Sequence, residues 1–179
     1  MPMGISVKAW IRFRSDGRSS VPGAAGSGCL TASVVVVPRT YYWAGNEPDI
    51  HTAYLFVDAG RPDLAGRWSR WAMEATYGNG PDGLPGNDDC GTMSAWYLFT
   101  ALGFYPVPAH DKYYVGAPLF PTAEITLPNG RFRINAPGAG PGKYITQSPN
   151  LNGTALADFT FRHTDLAQGE TLNVQMTSE

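Results

Sequence analysis

The hydrophobic period of this chain changes once, at Pro106, and that switch constrains the fold more than any other feature. Before it, apolar residues recur at helical spacing in three groups: Ile50, Ala53, Tyr54 and Val57; Leu64, Trp68, Trp71, Ala72 and Ala75; Met93, Trp96, Tyr97, Thr100 and Ala101. After it, short β-prone runs take over at Lys112 to Val115, Thr122 to Leu127, Arg131 to Ala136, Tyr144 to Ser148, Asp158 to His163 and Thr171 to Met176. Helices segregated from strands in this way predict an α+β fold, helical over 41–106 and β over 107–179. Turn signals at Leu127-Pro128-Asn129-Gly130-Arg131 and Leu151-Asn152-Gly153 are of the hairpin kind, so the β module is expected to be antiparallel.

The helices have readable ends. Asp49 is placed to cap the first, which Gly60 stops; the second runs from Pro62 to Tyr77 and the third stops at Gly103. Loops carrying acids and amides join them, as in a helical array whose loops gather at one end. Residues 1–40 read differently. Lys8, Arg12, Arg14, Arg18 and Arg39 stand there against the single acid Asp16, a balance of +4, while the remainder carries −6. Ser19 to Ser33 is linker-like in composition and Val34 to Val37 is a short β-prone run ended by Pro38. This segment is expected to be an atypical leader without a fold of its own.

Composition narrows the function classes. A net charge of −2 with no basic cluster argues against nucleic acid and anionic membrane as partners. No apolar run approaches the roughly 20 residues that cross a bilayer, and no signal-peptide pattern follows Met1-Pro2-Met3-Gly4. Cys29 and Cys90 are too isolated to suggest a disulfide framework or a zinc site.

Oxygen donors gather in two loops, Asn46, Glu47 and Asp49 before one helix and Asn87, Asp88 and Asp89 before another. Asn and Asp are ordinary helix N-caps, and a salt bridge or cap accounts for Glu47. One cap suffices, however, and three donors in a row between Gly86 and Gly91 leave two without a structural task. If the loops meet, they could hold a hard cation such as calcium, which takes six to eight oxygens, or flank a scissile bond as paired glycosidase carboxylates do. Five Trp, nine Tyr and eight Phe supply the aromatic faces that sugar sites use as well as core. His110 and His163 fall in the β module, Ser94 follows no nucleophile elbow, and Cys90, beside two acids, is not expected to be a nucleophile.

The segments Ala44-Gly45-Asn46-Glu47-Pro48-Asp49-Ile50-His51 and Asp82-Gly83-Leu84-Pro85-Gly86-Asn87-Asp88-Asp89-Cys90-Gly91-Thr92-Met93-Ser94-Ala95-Trp96-Tyr97, continued by Leu102-Gly103-Phe104-Tyr105-Pro106, resemble the C-terminal part of glycoside hydrolase family 92. The resemblance covers roughly Tyr41 to Glu179. It implies calcium-dependent exo-α-mannosidases that invert the anomeric centre, built from an N-terminal β-sandwich, an (α/α)₆ barrel and a β tail. Carried over by residue, Asp89 matches the general base and Asn87 a site-lining position where some members have Asp. Asn46 and Glu47 match the calcium loop, and Asp88 is left to cap the helix or, with Trp43 and His51, to touch substrate. The family's general acid, a Glu within a Glu-Gly-Asn-Ala-Trp type motif, has no counterpart in the sequence, whose first 40 residues contain no Glu. The expectation is therefore a truncated copy, weak or inactive alone, with a non-catalytic carbohydrate-binding or structural remnant as the alternative. Mannose-terminated glycans are the implied partners, together with the rest of the barrel or a second copy at exposed apolar surface. Family members are often secreted or periplasmic.

Overall fold

The computed structural model describes residues 42–128 and 130–178. The leader, the run Val34 to Val37, Cys29 and the turn residue Asn129 lie outside the described residues. The chain is α+β, with the helices first.

The first apolar group does not form one helix. It is divided into 3₁₀ turns at Glu47–Asp49 and Thr52–Tyr54 and a single α turn, α1, at Leu55–Asp58. Asp49 does not cap it, because its carboxylate accepts from Asn46 Nδ2 (3.0 Å) inside the first turn. The predicted face is nonetheless the buried one: Ile50, Ala53, Tyr54 and Val57 all lie in the core. Helix α2 spans Pro62–Thr76, with Pro62 in the first turn, where no N–H is needed. Helix α3 spans Thr92–Leu102 and ends at Gly103, whose left-handed φ of 87° closes it.

Strands β1 (Phe104–Pro106), β2 (Lys112–Val115) and β7 (Thr160–Arg162) make one antiparallel sheet. Strands β3 (Thr122–Leu127), β4 (Gly130–Asn135), β5 (Ile145–Leu151), β6 (Thr154–Ala155) and β8 (Thr171–Thr177) make a second, in the order β3-β4-β8-β5-β6. This second sheet is mixed, since β4 and β8 pair in parallel while every other pair is antiparallel. Strand β5 runs past the expected Ser148 because a register shift between Gln147 and Asn150 absorbs Ser148 (φ 48°) and Pro149. A further helix, α4 (His163–Gln168), replaces the end of the expected fifth strand, Asp158 to His163; Asp165 accepts from Arg162 N–H (2.7 Å) to start it and Gly169 stops it.

Two buried clusters hold the chain together. One lies between the sheets, around Phe104, Phe132, Phe161, Ile134 and Leu172. The other lies among the helices, around Tyr54, Met73, Met93 and Trp96, and reaches Tyr114 of β2. Helix α3 joins them, since Ala101 belongs to the second and its neighbour Leu102 to the first. The fully buried Tyr54 hydroxyl donates to Thr100 Oγ1 (3.0 Å), which ties the broken segment to α3.

Candidate active site

The two oxygen-donor loops meet through their backbones. A Cβ at Gly45 would lie 2.3 Å from Pro85 O, and one at Gly86 would lie 2.4 Å from Gly45 O. No side chain fits between them, so glycine at both positions fixes the distance between the loops. Thr92 adds a side-chain link: its hydroxyl sits 3.0 Å from Glu47 Oε1 and 2.7 Å from the Asp89 carbonyl, with one proton to serve either.

The segment 88–91 satisfies the head of α3 completely. Thr92 N–H donates to Asp89 O (3.3 Å), Met93 N–H to Asp88 O (3.3 Å), Ser94 N–H to Asp88 Oδ1 (2.9 Å) and Ala95 N–H to Gly91 O (2.8 Å). Asp88 Oδ2 also accepts from Ser94 Oγ at 3.0 Å, so both of its oxygens are engaged. Asp88 is thus the cap. To reach this geometry, Asp89 (φ 47°), Cys90 (φ 60°) and Gly91 (φ 92°) are left-handed in succession. For the two non-glycine residues that conformation costs on the order of 1 kcal/mol each. It leaves Asp89 exposed at the crest of the turn, and its carboxylate accepts no hydrogen bond among the described residues.

The remaining expected residues are distributed around this turn. Asn87 is exposed beside Asp88. Trp43 is 51% exposed, and its indole nitrogen lies against Gly45, 2.6 Å from where a Cβ would be. His51 follows the first 3₁₀ turn and its carbonyl accepts Tyr54 N–H (2.9 Å); its ring makes no hydrogen bond among the described residues. Thr92 and Ser94, which hold the loops and the cap, carry no sequence reading that foretells those roles. Their only signal is a hydroxyl in the first turn of a helix behind an acidic loop.

Carboxylate and amide oxygens are the right chemistry for a hard cation. Glu47 Oε2 and Asn46 Oδ1 remain as donors once Thr92 and Asp49 have taken the other atoms. No group of three or more His, Cys, Asp or Glu among the described residues converges on one point. Two oxygens of one loop are an incomplete set for a cation that takes six to eight.

Beneath the turn lie tyrosines with raised pKa values. Burial is the main cause for Tyr42 and Tyr77, reinforced by neighbouring phenols and by Asp49 and Asp88 respectively, and Tyr105 is pushed up to about 12 by burial. Tyr77 stacks on Trp96 (centroids 5.6 Å apart, planes 11° apart) and donates to Met93 O (3.2 Å). These phenols remain neutral at ordinary pH and are poor proton donors.

The turn thus presents an exposed carboxylate beside a second oxygen-donor loop and the exposed ring of Trp43. Residues 27–178 match the profile of the glycosyl hydrolase family 92 catalytic domain, and the chain belongs to that family. The match begins upstream of Tyr41. A family GH92 α-mannosidase from Bacteroides thetaiotaomicron, solved in complex with mannoimidazole, shares 34% identity with a TM-score of 0.72 over 77% of this chain and 18% of its own. A family GH92 inverting mannosidase from B. thetaiotaomicron VPI-5482 shares 35% identity with a TM-score of 0.71 over 77% of this chain and 19% of its own. A sequence relative described as an uncharacterized secreted glycosidase, from Arthroderma benhamiae, is 28% identical over 142 residues, 76% of this chain. The chain thus spans about a fifth of the length of these relatives (18% and 19%).

Proposed function

We propose that this chain carries the water-activating half of an inverting exo-α-mannosidase site. The observation that supports this most directly is the contrast between neighbours: Asp88 is consumed by the helix head, while Asp89 is exposed with an uncommitted carboxylate. A general base has to reach its water and keep its lone pairs for it. Asp89 would accept a proton from water as the water oxygen bonds the anomeric carbon from the face opposite the leaving group, and the glycosidic oxygen departs with its electron pair. Asn87 lines the site beside it. Mannose as the sugar is argued by similarity to mannosidases, one of them solved in complex with mannoimidazole.

Asn46 and Glu47 would hold calcium, which when bound supplies a Lewis acid and a template for sugar hydroxyls. The strained turn and the Gly45–Gly86 contact hold Asp89 at a fixed height above that loop. The departing oxygen also needs a proton, and no carboxylic acid of the Glu-Gly-Asn-Ala-Trp type is present in the 179 residues. Losing general-acid assistance typically costs about 10²- to 10⁴-fold in rate. Rest-of-barrel sequence is the partner that would supply it.

The test separates the base from the acid. The purified chain with calcium is expected to turn over 2,4-dinitrophenyl α-mannoside, whose leaving group needs no proton, and Asp89→Asn to abolish that turnover. An α-linked mannobiose is expected to be released at a rate at least about 10²-fold lower. Comparable rates on both substrates, or an Asp89→Asn variant as active as the parent, would refute the reading.

A further inference from the structure

Asn is followed by Gly at Asn79-Gly80, Asn129-Gly130 and Asn152-Gly153. Asn129 lies outside the described residues, and the fold treats the other two in opposite ways. We propose that Asn79 is a site of spontaneous covalent modification, in which attack by the Gly80 backbone nitrogen converts the side-chain amide to a carboxylate, with water as the only co-reactant. In the first step the Gly80 nitrogen bonds Asn79 Cγ, the Cγ–Nδ2 bond breaks, and the proton of the Gly80 N–H leaves with Nδ2 as ammonia. In the second, water adds to either carbonyl of the cyclic imide and one of its C–N bonds opens. An aspartyl or an isoaspartyl residue results at position 79, and nothing is oxidised or reduced.

The attack needs a backbone nitrogen free of hydrogen bonds, a side chain free to swing onto it, and a following residue without a Cβ in the way. Asn79 and Gly80 meet all three conditions. Both are exposed, and neither the Asn79 amide nor the Gly80 N–H makes a hydrogen bond among the described residues. The space around Gly80 is open, since the nearest atom to a Cβ built there is Asp82 N at 4.0 Å. The loop is closed by other N–H groups: Gly78 N–H donates to Gly83 O (2.8 Å) and Gly83 N–H to Gly80 O (3.0 Å). That second bond also restrains the pair Asp82-Gly83, whose attacking nitrogen is already engaged.

Asn152 is equally exposed but tied down. Its N–H donates to Thr171 O (2.9 Å), its Oδ1 accepts from Thr171 N–H (2.8 Å), and the Gly153 N–H is taken by Asn150 Oδ1 (3.1 Å). Swinging that side chain onto Gly153 would break bonds that join β5 to β8, whereas Asn79 has none to break. The place gives the change a consequence. With Ser94 and Tyr97, Asn79 lines a depression of about 250 Å³ whose described lining carries no charged side chain, and the Ser94 hydroxyl binds Asp88. Conversion puts a negative charge on that rim.

The whole chain is incubated warm at mildly alkaline pH, once folded and once in guanidinium chloride, and sampled over time by peptide mass spectrometry with electron-transfer fragmentation. In the folded chain the mass gain of an amide-to-acid exchange is expected at Asn79 several-fold faster than at Asn152. In denaturant the two are expected to convert at similar rates, because the bonds that protect Asn152 are gone. Gly80→Ala, which the open space accommodates, is expected to slow conversion at Asn79 several-fold and to leave Asn152 unchanged. Isomerisation at Asp82 adds no mass, so it is not confused with the change at Asn79. Conversion of Asn152 as fast as Asn79 in the folded chain, or an Asn79 that stays intact in the folded chain, with or without conversion in denaturant, overturns the proposal.

Discussion

At Gly45 and Gly86 the chain has no freedom to substitute. A methyl group at either would have to move backbone that is already in contact, at 2.3 and 2.4 Å, so Gly45→Ala or Gly86→Ala is expected to destabilise the chain by about 1–3 kcal/mol in urea unfolding. No local pattern in the sequence foretells that these two glycines touch. Across the acidic loop the expectation divides. Asp88→Ala removes the Ser94 N–H and Oγ partners and should cost about 1 kcal/mol of stability, whereas Asp89→Asn should change stability by less than about 0.5 kcal/mol. Unfolding midpoints that move together, or in the reverse order, would sink the division of labour between cap and base. The turn geometry, not the sequence, shows that both oxygens of Asp88 are taken up by Ser94.

Among the elements, α2 shows how a helical stripe can be found and still be turned the wrong way. The spacing of Leu64, Trp68, Trp71, Ala72 and Ala75 marks the most apolar face, yet the buried residues are Ala65, Gly66, Ser69, Arg70, Ala72 and Met73. The sheet side needs a close approach: a Cβ at Gly66 would lie 2.2 Å from Tyr144 O and 3.2 Å from the Ala117 Cβ, and only the small face of α2 permits it. Arg70 is buried with it, donating to Pro118 O (3.3 Å) and Glu74 Oε1 (3.1 Å). Trp68, left 43% exposed, joins Trp43, Leu55 and Leu98 as large apolar residues on the surface. Such surface invites association. Sedimentation velocity is expected to show reversible self-association of the chain, shifted toward monomer by Trp68→Ser with no loss of helix; a parent chain that stays monomeric at every concentration would contradict this.

For the whole molecule, the tyrosines between helices and sheet set an alkaline limit. Tyr105 is pushed up to about 12, and Tyr42, Tyr54 and Tyr77 are also raised, in each case mainly by burial. The unfolded chain ionises these phenols near pH 10 and the folded chain does not, so the folded state holds more protons above that pH. The sign follows: their contribution is complete below pH 10, and stability falls as pH rises from about 10 to 12. Tyrosinate absorbance at 295 nm should appear together with loss of the circular dichroism signal. Ionisation of all nine Tyr well before unfolding would contradict the burial.

Sequence alone determined what depends on neighbours a few residues apart. The switch of period at Pro106, the bounds of β2 and β3, the Gly103 stop and the hairpin at Asn152-Gly153 are all local, fixed by side-chain alternation and by residues that tolerate left-handed backbone. Long-range packing decided the rest. The parallel pairing of β4 with β8 depends on where α4 returns the chain, and the broken first segment is held to α3 by Tyr54 reaching Thr100 across 46 residues. The rotation of α2 depends on Tyr144, far away in sequence. The meeting of the two oxygen-donor loops was decided by two glycines from distant segments coming into backbone contact, a distance that no local pattern encodes.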